Sequence, residues 1–346
     1  MKPYFSVCIP NYNNEKFIGK TLESVLSQSY PNFEIIVADN ASTDKSIKII
    51  RRYMGKDPKK RIKLIQNPKN LGYTANCNVA VRNSTGTHFI LIGGDDIMYP
   101  RTLEQYHAII RQFSKNSKNL FISGACYYID ETDKKLYLRL VENFISKKEE
   151  KEFVLLDSEK LLRDVAENFS ENHWGDYQTQ CFSRELYDQL SGYNPSFNYN
   201  PEFEFIMRVL ALNPIKIYIK KPLIGFRCHN YSARGILERA NLLYLMDHYR
   251  IYMDNARIEN YHLNRKKIER IFINKSCISP GILFLKNGKY FTALQYLASA
   301  FFFFPRIALI NPKTYVLLFL LGLGPFGTIA IKALHFIYSK IKKKKT

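Results

Sequence analysis

The first hundred residues alternate between two hydrophobic periods, and this limits the fold more than any other feature of the chain. Phe5–Ile9 is a short apolar run, and Lys16–Gln28 carries Phe17, Ile18, Leu22, Val25 and Leu26 at helical spacing. Phe33–Ala38 is rich in β-branched residues, and Asp44–Tyr53 returns to the helical period. Ile62–Ile65, Tyr73–Arg82 and His88–Ile92 continue as strand, helix and strand. Strands alternating with helices through short loops predict a parallel α/β sheet. Such sheets take ligands beyond the carboxyl ends of their strands. Asn11, Asp39, Asn67 and Asp95 all fall just past predicted strand ends.

Beyond Pro100 the pattern changes. Arg101–Phe113 reads as a helix, Leu120–Ile129 as a long strand and Glu131–Lys151 as a charged, loop-rich segment. Helices are expected at Ser158–Asn168 and Pro201–Leu212, and strands at Ile215–Ile219 and Leu223–Arg227. The α/β domain is expected to cover residues 1–232, with a helical extension over residues 233–346.

The sequence holds 51 Lys and Arg against 31 Asp and Glu, a net charge of +20. That excess is uneven. Residues 255–346 hold 16 basic and 2 acidic residues, with no acid after Glu269. A basic surface suits nucleic acid or anionic lipid. The same segment is strongly apolar, which favours lipid. Tyr290–Phe304 is apolar almost all round, and Tyr315–Ile331 runs 17 residues without a charge. Gly322, Gly324, Pro325 and Gly327 interrupt that run, and a spanning helix needs about 20 apolar residues. Short helices lying in an interface, or a re-entrant hairpin, are therefore expected. The six cysteines are widely spaced without a Cys-x-x-Cys pair, which points to reduced thiols and neither zinc nor disulfides. The apolar run at the N-terminus is too short for a signal peptide. The expected location is the cytoplasmic face of a membrane, peripheral or monotopic.

Four blocks carry chemistry. Ile9-Pro10-Asn11-Tyr12-Asn13 closes the first strand, and Val37-Ala38-Asp39-Asn40-Ala41-Ser42-Thr43-Asp44 closes the second. Asn70-Leu71-Gly72 and Gly94-Asp95-Asp96-Ile97-Met98-Tyr99-Pro100 follow the third and fourth. Asp39 can accept a hydrogen bond from a nucleobase imide, or be an ordinary turn residue in good turn sequence. Adjacent carboxylates such as Asp95 and Asp96 repel, and a site that gathers them usually supplies a hard cation. They would also suit a helix N-terminus.

In order, spacing and strand context, residues 5 to about 232 resemble the family 2 glycosyltransferases, which have the GT-A fold: a Rossmann-like, mostly parallel sheet with flanking helices. The resemblance implies an inverting enzyme that moves a sugar from a UDP- or dTDP-type donor to a hydroxyl of a lipid-linked or membrane-presented glycan, in surface polysaccharide synthesis. It implies donor binding by Pro10, Tyr12, Asn13, Asp39, Asn70, Gly72, Asp96 and Arg227. It implies Mg²⁺ or Mn²⁺ at Asp95 and His229. The family's metal motif usually begins one acid earlier, where this chain has Gly93. The catalytic base is expected in Asn200-Pro201-Glu202-Phe203-Glu204-Phe205-Ile206-Met207-Arg208, at Glu202, with Glu204 stabilising the helix start. Arg227 and His229 lie in Phe226-Arg227-Cys228-His229-Asn230-Tyr231-Ser232, similar to the element that closes many such domains. His173 and Trp174 occupy the stretch that faces the acceptor, where Trp174 either stacks on a sugar or packs in the core. Two competitors are a processive polysaccharide synthase, disfavoured by the lack of long spans, and a non-catalytic basic protein that binds nucleic acid or membrane.

Overall fold

The computed structural model describes residues 5–140, 152–161, 177–197, 201–229, 247, 250–251, 269–270, 272–323 and 326. The chain divides into two compact units, one of residues 1–162 with 170–236 and the other of residues 163–169 with 237–346.

In the first unit, β1 (Phe5–Asn11), β2 (Phe33–Asp39), β3 (Ile62–Gln66) and β4 (His88–Leu91) pair in parallel, in the order β3-β2-β1-β4. Helices α1 (Ile18–Leu26), α2 (Ser46–Lys56) and α3 (Tyr73–Arg82) connect them. All seven residues of β1 are buried, as expected for a strand covered on both faces. Helix α1 buries Ile18, Thr21, Leu22 and Val25 on one stripe. Each such aliphatic side chain contributes about 1.5–3 kcal/mol.

The sheet continues through β9 (Cys181–Ser183), β6 (Leu120–Ile129), β10 (Ile215–Arg227) and β5 (Ile97–Met98). Strand β7 (Lys135–Arg139) pairs with β6, and β8 (Phe153–Leu156) pairs with β10. Helices α4 (Thr102–Gln112), α5 (Arg184–Gln189) and α6 (Pro201–Ala211) complete the described α-helices of this unit. Three features differ from the sequence reading. Strand β9 is antiparallel to both β4 and β6, so the sheet is mixed. Strand β7 lies inside the stretch read as loop, because its burial is low and its apolar signal weak. The two strands expected at Ile215–Ile219 and Leu223–Arg227 are one strand with register shifts around Pro222, whose missing N–H interrupts the ladder.

The second unit is helical where described. A π-helical segment (Ile273–Ile278) precedes α7 (Ser279–Lys286), α8 (Tyr290–Phe303), α9 (Pro305–Ile310) and α10 (Pro312–Gly322). Its core includes Phe272, Cys277, Leu285, Tyr296, Leu297, Ala300, Leu317 and Leu320. The Tyr290 hydroxyl donates to Leu321 O at 2.7 Å and ties α8 to α10. Among the described residues no helix is long and apolar enough to cross a membrane.

At Gly124 strand β6 lies tight against β10. A Cβ there would lie 2.5 Å from Leu223 Cδ1 and 2.9 Å from Ile219 O. Gly124→Ala should therefore destabilise the fold by about 1–3 kcal/mol, read as a lower thermal midpoint. An unchanged midpoint would contradict this packing.

Candidate active site at the carboxyl edge of the sheet

The ends of β1 and β2 are bound into one structure by hydrogen bonds that side chains make with one another and with the backbone. Asp39 is fully buried. Its carboxylate accepts from Asn11 Nδ2 at 2.8 Å, Ser42 Oγ at 2.6 Å and Ser42 N at 3.0 Å. Asn13 adopts a left-handed φ of 52°, and its Oδ1 accepts from Thr43 N at 2.8 Å. Asn and Asp tolerate that backbone because their short side chains bond locally. Pro10 lies buried within β1, whereas Tyr12 leaves nearly half its surface exposed beside this junction.

An asparagine relay carries the order to the next loop. Asn40 Nδ2 donates to Asn70 Oδ1 at 2.8 Å, and Asn40 Oδ1 accepts from Leu71 N at 2.9 Å. Asn70 Oδ1 also accepts from Gly72 N at 2.9 Å. Gly72 has φ 84°, so a side chain there would be strained. Asn67 and Asn76 complete the relay through Asn67 Nδ2 to Asn76 Oδ1 at 2.8 Å.

The loop after β4 is held from beneath. Thr21 Oγ1 donates to Gly94 O at 3.0 Å. Arg227 is fully buried, and its Nε donates to Asp95 O at 2.7 Å and its Nη1 to Asp130 O at 2.6 Å. Its Nη2 pairs with the Asp133 carboxylate. Its backbone N–H donates to Asp96 Oδ1 at 2.9 Å. Asp96 is likewise buried, and burial first and the adjacent Asp95 charge second push its carboxyl well above the usual range. A Cβ at Gly93 would lie 2.6 Å from Asp95 Oδ1 and 2.9 Å from Asp96 Oδ2. The two carboxylates thus reach into the space that a side chain at position 93 would need.

Asp95 faces outward, with its side chain 21 % exposed, and its Oδ2 lies 2.8 Å from His229 Nε2. The His229 ring packs on Phe17 at 5.0 Å between centroids, and the Arg227 guanidinium lies 4.8 Å over the same ring. Among the described residues no three His, Cys, Asp or Glu side chains form a complete metal cluster. Two do fit. Adjacent ligands around an octahedral Mg²⁺ at about 2.1 Å stand about 3 Å apart, close to the Asp95–His229 separation. Mg²⁺ ordinarily takes its remaining ligands from substrate phosphates and water.

Glu202 lies in the first turn of α6. Burial raises its pKa, while a hydrogen bond from the Tyr73 hydroxyl opposes that rise. Tyr73 opens α3, directly after Asn70-Leu71-Gly72. Helix α3 is tied to the chain leading into α6 by Thr74 Oγ1 to Phe197 O at 2.7 Å and Asn78 Nδ2 to Tyr193 O at 2.7 Å. Glu204, two residues on, faces elsewhere. It makes a bidentate pair with Arg208 at 2.6 and 2.7 Å, and Arg208 also donates to Leu190 O and Gly192 O. Sequence reasoning singled out Glu202 but not Tyr73, Phe17 or Asp133, whose importance comes from distant partners. The only signal for Tyr73 was its place after the Asn-Leu-Gly turn. His173 and Trp174 lie outside the described residues.

These acids have opposite consequences for stability. Glu202 is costly to ionise in the folded state, so its folded pKa lies above its unfolded one. The penalty is absent at acid pH, where both states are protonated, and grows as pH rises through that window. Glu202→Gln should raise the thermal midpoint at pH 7.5 and lose that gain toward pH 4. Glu204→Gln weakens a buried charge pair and should cost about 2–4 kcal/mol. Equal effects of the two substitutions in parallel melts would contradict the assignment.

Residues 6–169 match the family described as Glycosyl transferase family 2. A protein described as a glycosyltransferase, EpsE of Bacillus subtilis, is 39 % identical over 110 residues, which is 32 % of this chain and 39 % of EpsE. The match thus spans about two-fifths of that relative. A crystal structure of residues 1–349 of TarS from Staphylococcus aureus, in complex with UDP-GlcNAc, superposes with a TM-score of 0.55 at 16 % identity. It covers 95 % of this chain and 89 % of the other. The mannosyltransferase PcManGT of Pyrobaculum calidifontis, solved with GDP-Man and Mn²⁺, gives 0.51 at 17 % identity, covering 96 % and 87 %. Residues 6–169 thus match the family 2 glycosyltransferases, and the chain shares its fold with these two solved glycosyltransferases.

Proposed function

We propose that the protein is an inverting glycosyltransferase that takes a sugar from a UDP- or dTDP-type donor to a hydroxyl of a lipid-linked or membrane-presented glycan. The observation that carries this reading is the Asp95–His229 pair, brought to 2.8 Å across 134 positions of sequence at the carboxyl edge of the sheet. Relatives support the substrate class. TarS is described as a poly(ribitol-phosphate) β-N-acetylglucosaminyltransferase, and one archaeal relative is described as acting on a dolichyl phosphate-linked sugar. We place the enzyme at the cytoplasmic face of a membrane, in surface polysaccharide synthesis.

The exposed Tyr12 ring receives the base, with Asn13, Asn70 and Gly72 shaping the nucleoside site around Pro10; Asp39, expected to meet the base directly, is buried and held by Asn11 and Ser42, so it acts by fixing this wall of the site. Asp95 and His229 would hold a divalent ion, Mg²⁺ or Mn²⁺. When bound, it offsets the charge that develops on the leaving diphosphate. Asp96 and Arg227 are assigned to the donor side differently from the sequence expectation. Both are buried and engaged with protein groups, so they act by fixing the loop that presents Asp95. Glu202 accepts the proton of the acceptor hydroxyl as that oxygen bonds to the anomeric carbon and the bond to the diphosphate oxygen breaks. Attack opposite the leaving group inverts the carbon. A base with a raised pKa suits this task near neutral pH.

Three variants test the scheme. Glu202→Gln should keep donor binding and lose transfer by 10²-fold or more, on the order of a general base's contribution; a near-normal rate moves the base elsewhere. Asp95→Ala should abolish the Mn²⁺-dependent part of donor binding in calorimetry while the fold persists. Tyr73→Phe removes a bond that lowers the Glu202 pKa, so the acid limb of the pH–rate profile should move to higher pH. An unmoved limb rejects the Tyr73–Glu202 coupling.

A further inference from the structure

Helix α10 is built in a way that water does not favour. Its inward stripe is Thr314, Leu317, Leu320 and Leu321, packed on the rest of the second unit. Its outward surface is also apolar: Tyr315, Val316, Leu318, Phe319 and Leu323 are exposed, Phe319 by 68 %. The preceding α9 exposes Leu309 and Ile310, the latter by 69 %. A helix apolar all round belongs in a protein core or a lipid phase. A surface patch of this kind marks an interaction site.

The helix is held firmly in that presentation. Gly281 of α7 meets it so closely that a Cβ would lie 2.8 Å from Leu317 Cδ2. Asn311 caps its first turn by accepting from Lys313 N at 3.1 Å, and donates to Asn274 Oδ1 at 2.9 Å. The apolar surface therefore results from packing on α7 and α8.

Charge identifies the occupant. Arg306, Lys313 and Lys289 are exposed around these helices, and no Asp or Glu follows Glu269 anywhere in the sequence. The residues after α10 add Lys332, Lys340 and Lys342–Lys345. A second copy of this unit would set like charges against each other. Nucleic acid would leave the outward face of α10 uncovered. An anionic bilayer satisfies both features, with apolar side chains in the acyl boundary and cations at the headgroups. Eleven residues extend about 16 Å, half of a hydrocarbon core of about 30 Å, so the helix lies along the surface and does not span it.

We infer that α9 and α10 form a monotopic docking face for anionic lipid, with Tyr315, Phe319, Ile310 and Leu309 inserted and Lys289, Arg306 and Lys313 at the headgroup level. This rests on the membrane location proposed above and deepens it to a defined face and lipid class.

The test is vesicle co-flotation of the full chain with phosphatidylcholine vesicles, with and without 30 % phosphatidylglycerol. Two variants are compared, Tyr315→Ser/Phe319→Ser and Lys289→Gln/Arg306→Gln/Lys313→Gln. Wild type should float with the anionic vesicles and at least tenfold less with neutral ones. Each variant should lose about tenfold or more, since a cation near such a surface contributes about 1 kcal/mol. Calorimetric binding of UDP with Mn²⁺ should remain at the wild-type level in both variants. That readout separates this face from the sugar-transfer reading, because losing it would indicate a folding defect or a shared site. Equal flotation with neutral vesicles, or variants that float like wild type, would overturn the inference. So would sedimentation showing a lipid-free oligomer that the Ser variant dissolves, or RNA binding with no vesicle binding.

Discussion

The site depends on one buried cation. Arg227 has no exposed surface, yet it stands at the end of the longest strand and reaches four places at once. Its guanidinium fixes the backbone at Asp95 and Asp130, pairs with Asp133 and lies over Phe17, while its own N–H anchors the Asp96 carboxylate. A buried guanidinium is costly to desolvate and is tolerated when its planar donors are used. Here they join the loop after β4, the hairpin after β6 and the start of α1. The outward direction of Asp95 follows from that fixation. Phe17 supports Arg227 and His229 together, so the residue that fixes the Asp95 loop and the imidazole that faces Asp95 share one aromatic base.

Around this point the protein accepts local costs. The Asp96 carboxyl is buried next to another acid, and Glu202 is partly buried with the Tyr73 hydroxyl as its supporting donor. Asn11 Oδ1 is buried without a hydrogen-bond partner, on the side where Gly94 leaves no room for a Cβ. Such unsatisfied or desolvated groups gather where binding or catalysis will use them. By contrast, Glu204 and Arg208, which sit only a turn away, are fully paired and behave as structure.

Much of this could be read in the sequence where the signal was local. The strand–helix alternation gave the parallel half of the sheet, because burial on both faces writes continuous apolar runs. The polar residues after β1, β2, β3 and β4 were visible because a carboxyl-edge site must be polar at those positions. What could not be read depends on long-range pairing. Strand β9 is three residues long and inserts antiparallel between β4 and β6, a choice that no local period encodes. Lys135–Arg139 looked like loop because its strand is exposed. Arg227 looked like a phosphate ligand, since its burial is set by Asp133, Asp130 and Phe17, far away in the chain. Glu202 and Glu204 were separable in sequence only by helix geometry, and Arg208 confirms which of them is structural.

We propose that Asp95 and His229 together would present a divalent ion to the donor diphosphate. Anomalous diffraction at the manganese edge, from crystals grown with UDP and Mn²⁺, tests it most directly. The predicted result is a single anomalous peak bonded to the Asp95 carboxylate, His229 Nε2 and the diphosphate oxygens. Ordered UDP with no peak at these two residues, or a peak held by other side chains, would contradict it.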